Sequence, residues 1–162
     1  MKFLRFAQIE LSSQLADPWK KTMTLGTISV SGHRLDRKDG RILILARAEV
    51  PITGTPSLNG DGRIVIDDSI VRESERAIET FANVASIAMG SARKITSPVP
   101  CAGLSDLNDQ DRTWLKGCTG LFMPDPSCWR ANITIPLVGT ELAAIDDRGR
   151  SRVVGRGPRQ LQ

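Results

Sequence analysis

The stretch SIVRESERAIETFANVASIAMG, residues 69–90, decides how this chain can fold. Arg72, Arg76, Glu79, Asn83 and Ser86 recur at spacings of 4, 3, 4 and 3, the period of one face of an α-helix. Ile70, Ala77, Ile78, Phe81, Val84, Ala85, Ala88 and Met89 fill the rest of the surface, an apolar face wide enough to lie across a sheet. Ile78, Phe81 and Ala85 are its expected core residues, and the alanines allow close approach to strands. Asp68 or Ser69 suits the N-cap, Glu73 and Glu75 the positive end of the dipole, and Gly90 the left-handed stop.

Upstream of the helix the period changes to that of strands. KFLRFAQIEL (2–11), TLGTISV (24–30) and RILILARAEVPI (41–52) read as strands, with DRKDG (36–40) as a hairpin loop. ITGTPSLNGDG (52–62) is a loop that feeds a short strand, RIVID (63–67). Downstream, Pro98 and Pro100 make ITSPVPCAGL (95–104) a connector. A short helix follows around DLNDQDRTWLKG (106–117), then a turn at MPDPS (123–127) and strands at WRANITIPL (129–137) and TELAAI (140–145). The expected architecture is α+β: a mostly antiparallel sheet, one long helix at about 69–90, one short helix packed on it, and a flexible C-terminal tail. Residues 1–147 form a single domain, since 162 residues can bury one core without metals or disulfides.

The net charge of +4 sits at the end of the chain. Arg148, Arg150, Arg152, Arg156 and Arg159 give residues 148–162 a charge of +5 with no acid, which leaves residues 1–147 at −1. These five arginines, with Lys20 and Lys21, are the candidate nucleic-acid contacts. With four Phe, three Trp and no Tyr, the body has few stacking platforms for single-stranded nucleic acid or RNA. The segment 148–162 shows no 2 or 3.6 period, and its Arg, Gly, Pro and Val content is what a GC-rich gene yields when read out of frame. The expectation is a disordered Arg/Gly-rich tail, dispensable for folding, with two readings of its origin: an ordinary basic tail or an out-of-frame ending.

Cys101, Cys118 and Cys128 are odd in number and contain no C-x-x-C pair, so a secreted disulfide framework is not expected. MKFLRFAQIEL lacks an apolar signal core, no run is long enough to span a membrane, and the protein reads as cytoplasmic. His33 is the only histidine, and nothing in the spacing pairs it with a cysteine as a nucleophile or completes a Cys₃His zinc site. Asp67 and Asp68, with Glu73, Glu75 and Lys94, are the carboxylates and cation a metal-dependent hydrolase would need, but Glu73 and Glu75 point to different helix faces. No phosphate-binding glycine loop and no G-x-S-x-G elbow occur.

RIVIDDSIVRESERAIETF (63–81) resembles the opening of a response-regulator receiver domain, whose first strand ends in paired acids. That resemblance implies an acceptor aspartate on a later apolar strand, and NDQDRTWLKG stands there instead. IETFANVASI, ITSPVPCAGL and DRTWLKGCTGLFMP together resemble a group of uncharacterised bacterial proteins over about residues 70–123, which implies a bacterial source and no particular activity. The function expected from the residues is a non-catalytic binding or regulatory domain with no cofactor, no membrane and no identifiable small-molecule ligand. A protein partner or self-association is favoured over nucleic acid. The alternatives are a nucleic-acid-associated component using the basic tail, and a hydrolase using Asp67 and Asp68.

Overall fold

The computed structural model describes residues 2–11, 21–36, 42–52, 57–58, 60, 63–89, 93–96, 107–116, 121–122 and 141–156. The architecture is α+β, as the periodicities predict. The larger sheet has the order β2 (Thr22–Leu25), β3 (Ile28–Asp36), β4 (Ile42–Pro51), β1 (Lys2–Leu11), β7 (Arg93–Thr96), with β8 (Leu121–Phe122) also beside β1. Every pair in it is antiparallel except β1–β8. A second sheet orders β10 (Ser151–Arg156), β9 (Glu141–Ile145), β6 (Ile64–Asp67) and β5 (Ser57–Leu58), with β6 and β9 parallel.

Helix α1 (Asp68–Met89) lies on one face of the larger sheet. Val71, Ala77, Ile78, Phe81, Ala82 and Ala85 are buried, the first of them against the second sheet and the others against Ala7, Ile9, Leu11, Val30, Ile44, Ala46 and Ala48. Ile78, Phe81 and Ala85 are therefore core residues, as the period requires, whereas Val84 and Ile87 are exposed. The apolar face is narrower than the composition suggests, and Ser74 sits within it with its hydroxyl donated to the Val71 carbonyl at 2.6 Å. Phe81 reaches the sheet at Gly32, where an added Cβ would stand 2.8 Å from the Phe81 ring and 2.9 Å from Ile44. Glycine there is a packing requirement. The polar stripe also makes contacts, because Glu79 and Asn83 both accept from the Arg93 guanidinium of β7, at 2.9 and 2.7 Å.

A second core joins the two sheets. Phe3 and Val50 of the larger sheet meet Ile64, Ile66, Leu142, Ala144 and Val154 of the smaller, with Val71 from the first turns of α1. Each of the larger of these side chains, once removed from water, contributes about 1.5–3 kcal/mol.

The structure differs from the sequence reading in five places, one of them the two-residue strand β5 inside the expected loop 52–62. TLGTISV is not one strand: Gly26, at φ 61°, and Thr27 turn the chain between β2 and β3. A glycine at positive φ is what a two-residue hairpin asks for. Residues 95–96 of the expected connector belong to β7, paired with β1. The N-cap is Asp67, one residue earlier than expected, with its Oδ1 accepting from the Ser69 N–H at 2.9 Å. The expectation of disorder from residue 148 is corrected as well. Residues 146–150 turn tightly and Ser151–Arg156 form β10, antiparallel to β9, with Val154 buried. A register shift between Val153 and Gly155 breaks the alternation, which is why no strand period shows in the sequence and why its absence does not argue for an out-of-frame ending. Residues 157–162, the turn at 123–127 and the strand expected at 129–137 lie outside the described residues.

Candidate functional site

The two adjacent acids singled out by sequence stand where β6 enters α1, beside the end of parallel strand β9. Asp67 caps the helix, and the Ser69 N–H and hydroxyl hold its carboxyl below the usual carboxylate range. Asp68 is nearly buried and is gripped from two sides. Arg152 places Nη2 at 2.8 Å and Nε at 3.2 Å from Oδ1, and Arg72, one turn along the helix, places Nε at 3.2 Å from Oδ2. Next to it Asp146 accepts from the backbone N–H groups of Arg150 and Arg148 and from the Arg150 guanidinium at 3.0 Å, and the first of these does most to lower its pKa. Only a small hollow of about 80 Å³ remains between Asp68, Asp146, Arg150 and Arg152. Among the described residues no three His, Cys, Asp or Glu side chains converge on a point a metal could occupy. The carboxylates a hydrolase would use as ligands serve as a helix cap and as arginine partners.

The same contacts change what the basic segment can offer to phosphate. The Arg150 and Arg152 side chains are committed to Asp146 and Asp68. Arg148 contributes its backbone N–H to the turn, whereas the side chain of Arg156 and all of Arg159 lie outside the described residues. Of the other cations, Lys20 is outside the described residues and Lys21 uses its carbonyl to accept from the Gly32 N–H at 2.8 Å.

His33 finds a partner that sequence reasoning missed. It projects from β3 on the face away from α1, where α2 (Asp109–Lys116) crosses the sheet. Its Nε2 lies 2.5 Å from Oδ1 of buried Asp111, and since a carboxylate only accepts, Nε2 carries the proton. Asp111 is itself fixed by a reciprocal cap: its Oδ2 accepts from the Asn108 N–H and its N–H donates to Asn108 Oδ1, both at 2.9 Å. One turn on, Trp114 stacks on the His33 ring at 5.5 Å between centroids. It also lies under the Arg47 guanidinium at 4.5 Å and meets Phe6 edge-on at 6.4 Å. Arg47 donates to the Trp114 carbonyl at 3.3 Å. His33, Asp111, Trp114 and Arg47 thus dock α2 on the sheet. The N-x-x-D spacing of Asn108 and Asp111 carried the cap in sequence, but nothing linked it to a histidine 78 residues away. Cys101, Cys118 and Cys128 lie outside the described residues.

An open concavity lies on the α1 side. A groove of about 330 Å³ runs between the β2–β3 turn and the helix, lined by Leu25, Gly26, Thr27 and Ile28 and by Glu73, Arg76, Ala77 and Thr80. The helical residues follow the i, i+3, i+4, i+7 pattern of one stripe. Leu25, Ile28 and Ala77 give an apolar floor, and Glu73 and Arg76 give a rim of both signs. No helix among the described residues is long and apolar enough to cross a membrane. No family model, curated protein or solved structure matches the chain.

Proposed function

We propose that the chain is a non-catalytic binding or regulatory domain whose partner is a protein. The observation that carries this is the pairing of the polar candidates with one another, together with an open groove elsewhere on the surface. Asp68 is held by Arg72 and Arg152, Asp146 by Arg150, and His33 by Asp111, while the groove at α1 presents an apolar floor with a charged rim. Reactive groups must be free to meet a substrate and phosphate-binding cations free to meet phosphate, and pairing these side chains with one another works against both. A shallow, partly apolar groove suits side chains of another polypeptide.

The test is selection of ligands for the immobilised full chain from a random-peptide phage library, with duplex DNA measured in parallel at several salt concentrations. Peptides that bind with affinity nearly constant between about 50 and 200 mM salt are expected, with DNA retained weakly at the lowest salt only. Tight DNA binding with a steep salt slope, and no selected peptide, would replace this function with the nucleic-acid one.

A further inference from the structure

We propose that β2 and the groove beside it form one recognition site, at which an extended segment of the partner protein adds to the larger sheet as a new edge strand. The proposal rests on the protein-binding function above and names its site and mode. It draws on two features that are independent of each other, one in the backbone and one in the side chains.

The backbone feature is the edge. β2 ends the larger sheet, and among the described residues its strand partner is β3 alone. The two-residue turn makes Leu25 and Ile28 a hydrogen-bonded pair, so Met23 pairs likewise with Val30, and Lys21 bonds Gly32, whose N–H donates to the Lys21 carbonyl. Thr22 and Thr24 occupy the alternate positions, and their N–H and C=O groups point away from β3. A strand that joined here would find two donors and two acceptors in register. Among the described residues the other edges carry the usual protections: β10 has a bulge and Arg152, β7 has Arg93 and Lys94, and β5 and β8 are each two residues long. Thr22–Leu25 is TMTL, with no charge, no proline and no register shift.

The side-chain feature is the groove. Met23 and Leu25 pack from β2 against the core under α1, so an added strand would continue their row of alternate side chains toward the helical stripe of Glu73, Arg76, Ala77 and Thr80. The occupant is accordingly an extended segment with apolar residues at alternate positions on the helix side. Flanking these it carries a cationic side chain to meet Glu73 and an anionic one to meet Arg76. Main-chain pairing supplies affinity and the groove supplies selection, the division of labour in strand addition.

The experiment uses peptides selected on the full chain, two variants that block the site, Thr24→Pro and Thr80→Trp, and a third, Arg76→Glu, that alters its rim. Proline at 24 removes an outward N–H and none of the bonds to β3, and tryptophan at 80 fills the groove from a half-buried helical position at its edge. Melting temperature and ladder protection in hydrogen exchange confirm that each variant is folded. Each of the two blocking variants is expected to weaken peptide binding about five- to tenfold or more, the worth of one or two hydrogen bonds or an occupied side-chain pocket. The rim is read by Arg76→Glu, which should shift the selected consensus from an acidic to a basic residue at one position. Peptides that bind all three variants as they bind the parent would overturn this site and leave the protein-binding function standing. Failure to select any peptide would remove that function and the site with it. Self-association of the parent chain that Thr24→Pro abolishes would assign the edge to a second copy and equally overturn the proposal.

Discussion

Gly32→Ala and Phe81→Leu, alone and together, test how α1 sits on the sheet. A methyl at position 32 would stand 2.8 Å from Phe81 Cζ, 3.0 Å from Cε1 and 2.9 Å from Ile44 Cγ2. Carbon atoms prefer about 3.5–4.0 Å, so each contact is short by at least about half an ångström. Both neighbours are fully buried and cannot swing aside, and Gly32→Ala is expected to cost about 1–3 kcal/mol as overpacking. Phe81→Leu shortens the side chain against the same spot and leaves space, at about 1–3 kcal/mol. In the double variant the new methyl enters that space, which removes two of the three short contacts. Urea denaturation should then give a sum of single costs that exceeds the double cost by about 1 kcal/mol or more. Additivity within about 0.3–0.5 kcal/mol would mean that the ring does not lie over Gly32, and the phase of α1 would be wrong.

Phe81→Ala should cost about 3–5 kcal/mol in the same assay, while Asn83→Ala, which gives up one exposed bond to Arg93, should cost about 0.5–1 kcal/mol; the reverse order would contradict the burial described. Ending the chain after Asp147 deletes β10, and with it Val154 and the Arg152 partner of Asp68, so the melting temperature should fall by several degrees, and an unchanged value would restore the dispensable tail. Asp111→Ala should speed amide exchange across α2 while β3 and β4 stay protected, because His33 and the Asn108 N–H lose their acceptor together; equal protection in both chains would show that α2 is held by other contacts. The carboxyls of Asp67 and Asp146 are depressed in the fold, so the stability they add is complete above the ordinary carboxylate pKa near 4 and is lost as pH falls through their lower folded values. Asp67→Asn keeps a capping oxygen but removes the charge, and its melting temperature should depend less steeply on pH below about 4 than the parent's.

Local physics made much of the fold legible. β1 falls within the limits read from its strand-like composition, even though burial on both faces weakens its alternation, and α1 begins within a residue of its expected start. Three kinds of feature escaped. The β2–β3 turn uses Gly26-Thr27, a pair too common to mark a hairpin without knowing that Gly26 sits at positive φ. β10 carries a bulge, and one extra residue turns alternation into apparent noise. The docking of α2 needs His33, Arg47, Phe6 and Trp114 from four elements, a pairing fixed by topology and not by spacing along the chain. The arginines illustrate the converse hazard. Read as a run they resemble a phosphate-binding arm, and in three dimensions Arg150 and Arg152 answer two carboxylates of the fold itself.

Amide-resolved NMR titration of the full chain, with a library-selected peptide in one series and duplex DNA in the other, tests the protein-binding function most directly. Peptide-induced shifts confined to residues 22–28 and 73–80, with no saturable response to DNA at about 150 mM salt, are the predicted result. Saturable DNA-induced shifts centred on residues 146–156, with peptides leaving the groove unperturbed, would contradict it.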